Sequence, residues 1–430
     1  MYTLGCSKNR VDSEHLMRQL EHGGWEVIPD ALEEDYPLDV LIINTCGFIH
    51  PAREESIQYI LEALQAKEEG RLGRVLIMGC LSERYRAPLQ KELPQADGLY
   101  GVNHIPALCA SMGVPYVPHL DTQRVLSTPA HYAYLKISEG CDRGCAYCAI
   151  PLIRGNHLSR PKEALLAEAR FLAAQGVKEL NLVAQDTSFY GMDLTGKREL
   201  AGLMEDLCRI NGIEWIRLLY TYPQGFPTDV LRLMAGEPKI CHYVDIPLQH
   251  IADNVLEAMR RNTTRAETLR LIEDFRTLVP DICLRTTLMV GHPGEDEQAF
   301  RQLLDFVEQT RFEKLGAFTY SEEEGTYGAQ FLKDSVPEKI KQDRYEALME
   351  LQKGISFAYN QSRVGSPCTL LVDYVITAEG RDPVALGRSR SEAPEVDGYI
   401  VLEQAKNTEP GTFLNVRITR ATAYDLFAEF

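Results

Sequence analysis

Three cysteines crowd one short run, GCDRGCAYCAIPLIRG, as Cys141, Cys145 and Cys148. Thiols at this density form disulfides or bind metal as thiolates. A disulfide uses two and strands the third. A closed zinc site takes four ligands, which makes His157 the candidate fourth donor. A [4Fe–4S] cube also normally takes four thiolates. Held by only three, it would leave one iron open to a ligand from outside the protein. Gly140 and Gly144 permit the tight backbone such a loop needs. From spacing alone, the iron–sulfur and zinc readings both stand, the second weakened because zinc sites favour paired Cys-x2-Cys arms.

A second group is dispersed. Cys6, Cys46 and Cys80 each follow a short apolar run: YTL, VLIINT at 40–45 and RVLIM at 74–78. Each run reads as a buried parallel strand. In open α/β sheets the ligand crevice lies beyond the carboxyl ends of the strands, so distant residues can converge there. Again there are three candidate ligands. A helix beginning near Asp12 could aim backbone N–H groups at an anionic cluster. Cys109, Cys208, Cys241, Cys283 and Cys368 share no such placement and are assigned to packing or surface.

The elements that must position these residues follow from hydrophobic period. Between the first strands, DSEHLMRQLEHGG and PAREESIQYILEALQAKEEG have helical spacing, the first capped by Asp12 or Ser13 and ended at Gly23–Gly24. This alternation predicts an open α/β sheet over residues 1–125. Across 126–364 the alternation repeats with strands AYLKIS, ELNLVA, WIRLLY, YVDIPL, CLRTTLMV and KLGAFTY. Six βα units predict a partial (βα)6 barrel, with an open doubly wound sheet as the alternative. Residues 336–363 form one long helical pattern packed on the barrel. From 365 to 430, short β runs broken by Gly, Pro and Asp predict a small antiparallel β-barrel. The fold class is therefore α/β with an all-β C-terminal domain.

The cysteine run follows the first barrel strand and so lies at the C-terminal mouth, where barrel active sites sit. Gln185, Asp186, Gln249 and His250 also fall at strand ends. They are candidates for cofactor or substrate contact, or for satisfying loop backbone groups. Arg154 and Arg160 are candidates for carboxylate binding, with a surface salt bridge as the plainer role.

The chain of 430 residues carries a net charge of −17. That argues against a general nucleic-acid binder and suits a basic protein partner. No stretch approaches a membrane span. MYTLGCSKNR lacks the basic-then-apolar layout of a secretory signal. A cytoplasmic protein with reduced thiols is expected.

CDRGCAYC resembles the signature of radical S-adenosylmethionine (SAM) enzymes, with Tyr147 at the usual aromatic position. The resemblance implies that Cys141, Cys145 and Cys148 hold a [4Fe–4S] cluster whose open iron is chelated by SAM. It further implies reductive cleavage to a 5′-deoxyadenosyl radical, and hence an electron donor. TLMVGHPGE, containing Gly291 and Glu295, resembles the strand end that packs on adenosine, with His292 where Phe is common.

GCSKNRVDSE, NTCGFI and MGCLSERY are similar to the surroundings of three auxiliary-cluster ligands in the methylthiotransferase family. The three-part layout matches too: N-terminal methylthiotransferase domain, radical SAM barrel and C-terminal TRAM barrel. This implies a second [4Fe–4S] cluster on Cys6, Cys46 and Cys80, whose open iron could bind sulfur.

AIPLIRGNHLSRP, VAQDTSFYG, DIPLQHIADNVLEAMRR, YSEEEGTYGA and APEVDG resemble the RimO-type branch, which modifies a ribosomal protein. The MiaB-type branch, which modifies tRNA adenosine, usually carries VPYTRG and a Gly-Gln-Asn run. RSRSEAPEVDG departs from the branch around Ser391–Glu392. Residues 365–430 contain six Lys+Arg and ten Asp+Glu, whereas a tRNA-gripping barrel should be basic. Arg388, Arg390, Arg417 and Arg420 could still make a local basic patch.

The implied reaction is methylthiolation of the β-carbon of an aspartate in small-subunit ribosomal protein twelve, without tRNA or membrane. That carbon is unactivated and offers no acidic proton to a base, so a radical route is chemically reasonable. In this reading one SAM methylates sulfur at the auxiliary cluster and a second supplies the radical. Tyr147, Gln185, Gly291 and Glu295 are the expected SAM contacts; Arg154, Asp186, Gln249 and His250 are the expected substrate contacts.

Overall fold

The computed structural model describes residues 1–31, 37–378, 380 and 382–430. Strands β1 (Tyr2–Thr3), β2 (Leu38–Thr45), β3 (Leu72–Gly79) and β4 (Gly98–Tyr100) form a parallel sheet in that order. VLIINT and RVLIM read as continuous apolar runs because both faces of this sheet are covered. Leu41, Ile43, Val75 and Ile77 pack with Ile60 and Leu64 of the helix His50–Glu68. Ile42, Leu76 and Met78 point the other way, onto Leu16, Met17 and Leu20 of the helix Ser7–His22. β4 has three residues, too few to show a period, and was not anticipated.

The first helix begins at Ser7 with Cys6 at its N-cap, not at Asp12 or Ser13, which are buried inside it. Its opening turns are polar, so the apolar period starts late. Those polar side chains are nonetheless buried, because they face a neighbouring domain. Gly23 caps the end as expected.

The central domain begins with β5 (Tyr132–Lys136). A two-residue pair, β6 (Ser138–Glu139) and β7 (Leu158–Ser159), ties down the ends of the cysteine loop. Then follow β8 (Glu179–Val183), β9 (Trp215–Leu218), β10 (Ile240–Asp245), β11 (Cys283–Val290) and β12 (Lys314–Thr319). They pair in parallel in the order β12-β11-β10-β9-β8-β5, one strand added per βα unit. β10 starts earlier than the YVDIPL run and stops at Asp245; Pro247, two residues on, has no N–H to continue the ladder. Strand residues alternate. Ala133, Leu135, Leu180, Leu182, Ile216 and Leu218 face the helices. Tyr132, Tyr134, Val183, Trp215, Cys241, Tyr243 and Cys283 face inward. The long helix Glu338–Ser362 packs on β12 and on the helix Glu297–Thr310.

The C-terminal strands β13 (Pro367–Ile376), β14 (Val384–Arg388), β15 (Ile400–Leu402), β16 (Phe413–Ala421) and β17 (Leu426–Glu429) close into a barrel in the order β13-β14-β15-β17-β16. Every pairing is antiparallel except β15 with β17, which is parallel.

The RSRSEAPEVDG run, unusual in sequence, plugs the concave face of the partial barrel. Tyr132 and Tyr134 hydroxyls donate to Glu395 at 3.2 and 2.9 Å, and Tyr243 donates to Asp397 at 2.7 Å. Arg217, fully buried, donates to the carbonyls of Ser389 and Arg390. Arg388 is buried between Glu179 and Asp373, both at 2.7 Å. Arg390 donates to the Ile240 carbonyl. Two of the four arginines considered for a basic patch are thus engaged at this internal interface.

Candidate active site

The cysteine loop leaves the barrel at the C-terminal end of β5. Cys141 N–H donates to the Gly155 carbonyl at 3.1 Å, and Cys148 N–H to the Cys145 carbonyl at 3.1 Å. Gly140 has φ +69°, and a Cβ there would sit 2.0 Å from the Asn156 carbonyl oxygen. Close backbone approach and left-handed geometry both require glycine. All three cysteines are free and partly exposed. Cys145 Sγ lies 3.7 Å from the Tyr222 hydroxyl and accepts from Arg261 Nη1 at 3.4 Å. Burial pushes the Cys141 thiol up to about 11 and raises that of Cys148 further. These are soft donors that ionise when a cationic centre supplies the missing charge.

The strand-end cysteines also converge. Cys6 follows β1 and Cys46 follows β2; Cys80 follows β3 without a gap. Gly79 makes the turn at φ +101°, and a Cβ there would be 2.2 Å from Asn44 Oδ1. Cys80 Sγ donates to Asn9 Oδ1 at 3.4 Å, and Cys46 N–H donates to Ser56 Oγ at 3.0 Å. Burial pushes the Cys80 thiol up to about 12 and raises that of Cys46. Burial opposes ionisation of Cys6 as well, but the charges of Lys8 and Arg154 outweigh it and lower that thiol.

The two sets are neighbours. The helix Cys80–Arg84 packs against the helix Ile150–Arg154, which begins two residues after Cys148. Cys80, Val102, Ala149 and Ile153 form one buried cluster. Arg154 closes the junction. It was expected at the substrate or in a surface salt bridge, and is instead buried in an internal network. Its guanidinium bonds Asp12 at 3.1 Å, Glu139 at 2.8 Å and Asn9 Oδ1 at 2.6 Å. Lys136 bonds the same two carboxylates. Arg160 pairs with buried Glu168 at 2.6 Å rather than at the surface.

Asp186 lies beside the cysteine loop. It accepts from Arg143 Nε and from Ser188 Oγ, both at 2.6 Å, and lines a cavity of about 100 Å³ with Cys141, Arg143, His157 and Phe189. Gln185 donates to Glu139 at 3.0 Å, leaving its buried Oε1 without a protein partner. Gln249, in a left-handed backbone (φ +73°), likewise has an unpartnered buried Oε1. Tyr147 receives a hydrogen bond from Arg261 at 3.3 Å and packs near Met259 and Met289.

Three predicted contacts are engaged with one another. The Gly291 N–H donates to Glu295 Oε2 at 2.8 Å, Arg344 donates to Glu295 Oε1 at 2.8 Å, and His250 Nε2 lies 3.5 Å from Glu295 Oε2. A Cβ at Gly291 would lie 2.3 Å from Lys341 Cγ. The carboxylate therefore ties β11 to the long helix, and the glycine admits that helix.

The donor chemistry fits clusters better than zinc. His157 Nε2 is 3.0 Å from Ser159 Oγ and its ring edge meets Phe189. Among the described residues, no three His, Cys, Asp or Glu side chains converge on a single-ion position. A cube spaces its thiolates more widely than one zinc ion does. The unpartnered Gln185 and Gln249 oxygens and Ser138 Oγ at the mouth offer polar sites for a ligand such as SAM.

Several residues of this site were not singled out from sequence. Lys8 and Asn9 lay inside a recognised motif without roles, and Asp12 was read only as the start of a helix. Lys136, Glu139, Tyr222 and Arg261 carried no local signal, because only the assembled strand ends bring them to the thiols.

Comparison with known proteins accounts for the whole chain. Residues 135–307 match the radical SAM superfamily, residues 1–101 match uncharacterized protein family UPF0004, and residues 364–430 match the TRAM domain. The radical SAM methyltransferase TsrM from Kitasatospora setae superposes with a TM-score of 0.56 at 15% identity, over 87% of this chain and 77% of that one, a likeness of fold. The ribosomal protein uS12 methylthiotransferase RimO of Bacteroides fragilis is 50% identical over 99% of this chain and 98% of its own length. That of Flavobacterium johnsoniae is 49% identical over 99% and 96%. With full-length identity at this level, the chain belongs to the RimO family of radical SAM methylthiotransferases.

Proposed function

We propose that this enzyme adds a methylthio group to the β-carbon of an aspartate in ribosomal protein uS12. Cys141, Cys145 and Cys148 would hold one [4Fe–4S] cluster with an open iron for SAM, and Cys6, Cys46 and Cys80 a second with an open iron for sulfur. The observation that carries this reading is the contact of the two three-thiol sets through Cys80, Ala149 and Ile153. Bound clusters and SAM supply the one-electron and sulfur chemistry that no side chain here possesses.

The protein's part is placement and shielding. Arg261 and Tyr222 hold the Cys145 sulfur. Arg154, Asp12, Glu139 and Lys136 lock the N-terminal helix to the barrel mouth. Tyr147, Gln185 and Gln249 line the SAM side, and Asp186 and Arg143 the open side of the loop. The division into residues 1–125, 126–364 and 365–430 assigns one task to each part: auxiliary cluster, radical chemistry and closure of the lumen.

The acidic C-terminal barrel, with Arg388 and Arg390 engaged internally, favours a basic protein substrate over tRNA. A cytoplasmic electron donor completes the system. No helix among the described residues is long and apolar enough to cross a membrane.

The test is anaerobic reaction of the reconstituted enzyme with SAM, a reductant and either uS12 or tRNA, followed by mass spectrometry. The expected result is a methylthio mass gain on one uS12 aspartate. Gain on tRNA alone overturns the reading.

A further inference from the structure

The YSEEEGTYGA run, residues 320–329, follows β12 and reaches both cysteine sets. Its centre is Glu323, which is only 3% exposed. Two guanidiniums from the N-terminal domain meet on the same carboxylate oxygen, Oε2: Arg84 at 2.9 Å, and Arg53. Arg53 stands on the helix His50–Glu68, which begins soon after Cys46. Arg84 ends the helix Cys80–Arg84, which opens on a cluster-ligand candidate. Arg84 Nη1 also donates to the Gly47 carbonyl at 3.0 Å, directly after Cys46, and its Nη2 donates to the Glu324 carbonyl at 2.7 Å. One carboxylate thus grips the chain just beyond two of the strand-end cysteines.

The other end of the run is fixed to the cysteine loop. The Gly328 N–H donates to the Ala146 carbonyl at 2.6 Å, and Ala146 lies between Cys145 and Cys148. A Cβ at Gly328 would lie 3.0 Å from that oxygen and from Tyr320 Oη. A Cβ at Gly325 would lie 3.0 Å from Leu152 Cδ1, on the helix that follows Cys148. The stretch between the two anchors is bonded to itself. The Thr326 hydroxyl donates to the Glu323 carbonyl at 2.7 Å and accepts from the Ala329 N–H at 3.3 Å. The Arg154 network ties down the helix after Cys6, whereas this strap ties the segments after Cys46 and Cys80 to the loop of Cys145 and Cys148.

A buried ion cluster adds little net stability, because desolvation offsets the attraction, but its charge-assisted bonds are exacting in direction. We propose that Glu323 is a positioning residue, clasped by Arg53 and Arg84 so that the strand-end cysteines and the cysteine loop keep one fixed separation. The inference rests on the two-cluster reading above. The reaction proposed there needs a radical from one set and sulfur from the other to reach the same carbon. A misplacement on the order of 1 Å costs such a reaction about a hundredfold. The competing role for Glu323 is plain adhesion between domains.

The two roles separate in variants of the full-length enzyme. Wild type, Glu323→Gln, Glu323→Asp and Arg53→Met are reconstituted, and iron per chain is measured. The readouts are methylthiolated uS12 per 5′-deoxyadenosine formed, and the magnetic coupling of the two reduced clusters by electron paramagnetic resonance without substrate. Glu323→Gln should keep its iron, lose about ten- to a hundredfold in the product ratio and show altered coupling. Glu323→Asp, which keeps the charge, should recover part of the ratio. Arg53→Met should fall less than Glu323→Gln, because Arg84 still holds the carboxylate. A Glu323→Gln enzyme with the wild-type ratio or the wild-type coupling overturns the proposal. Should Glu323→Gln lose iron, the same readouts on Arg53→Met decide, and wild-type values there overturn it. Absence of any mass gain on uS12 with wild type is failure of the proposed function, and the magnetic coupling then tests the clasp by itself.

Discussion

Cys141, Cys145 and Cys148 are held by one loop whose ends are tied by the β6–β7 pair, whereas Cys6, Cys46 and Cys80 come from the ends of three separate strands. The first set is local: its spacing and glycines shape the site before any domain packs. The second exists only when β1, β2 and β3 lie side by side in register, with Ile43 opposite Tyr2 and Ile77. Their electrostatics differ as well. Burial raises the thiols of Cys141 and Cys148, as it does those of Cys46 and Cys80, but Lys8 and Arg154 lower that of Cys6. A site assembled from distant strands can draw charges from a neighbouring domain, and this one does so through Arg154.

The sharpest break in this comparison comes from the cysteines. Cys141→Ala should abolish 5′-deoxyadenosine formation and all methylthiolation. Cys46→Ala should abolish methylthiolation yet leave reductive SAM cleavage. Each should retain about four of about eight irons, measured by iron assay. SAM cleavage by Cys141→Ala would show that the two roles are wrongly assigned.

Arg154→Met tests whether the sets are mechanically joined. It leaves Asp12 and Glu139 buried with Lys136 alone, and should cost about 3–5 kcal/mol in denaturant unfolding. Iron on the strand-end set should become more labile to chelator than iron on the loop set.

Gly140→Ala should reverse that asymmetry. A left-handed alanine pressed on the Asn156 carbonyl should cost about 2–4 kcal/mol. Iron should be lost first from the loop set, read out as loss of SAM cleavage.

The smallest effect is expected where neither set is touched. Glu392, in the loop that plugs the barrel, is bonded by Arg363 and by Ser389 Oγ. Burial would raise its carboxyl, but Arg363 and Lys314 overcome this and hold it at about 2. A lowered carboxyl stabilises the fold above its ordinary value of 4.5, and that contribution is lost as pH falls from there toward 2. Glu392→Gln should therefore cost about 1.5–3 kcal/mol at pH 7, converging on wild type in acid, with iron content unchanged. A constant difference across pH would assign the effect to packing.

Much of the fold was legible because its signals are periodic. β11 spans the CLRTTLMV run residue for residue, and the helix Glu338–Ser362 lies within the long pattern read at 336–363. The misses have physical causes. The start of the first helix was hidden because Lys8, Asn9, Asp12 and Glu14 are polar yet buried, inverting the usual pattern. The bond from Arg344 to Glu295 carried no local signal either, because it joins the barrel mouth to a distant helix.

What the chain's sequence determined by itself is the donor inventory: three thiols on one loop, three more behind apolar runs, and the motifs that carry the family. Side-chain type and local spacing are properties of the chain, and they survive any packing. Tertiary structure alone decided that the two sets touch and that Arg154 is buried at the joint between them. Those outcomes depend on which charges meet across domain boundaries, and in a buried junction each carboxylate taken by one cation is unavailable to the next.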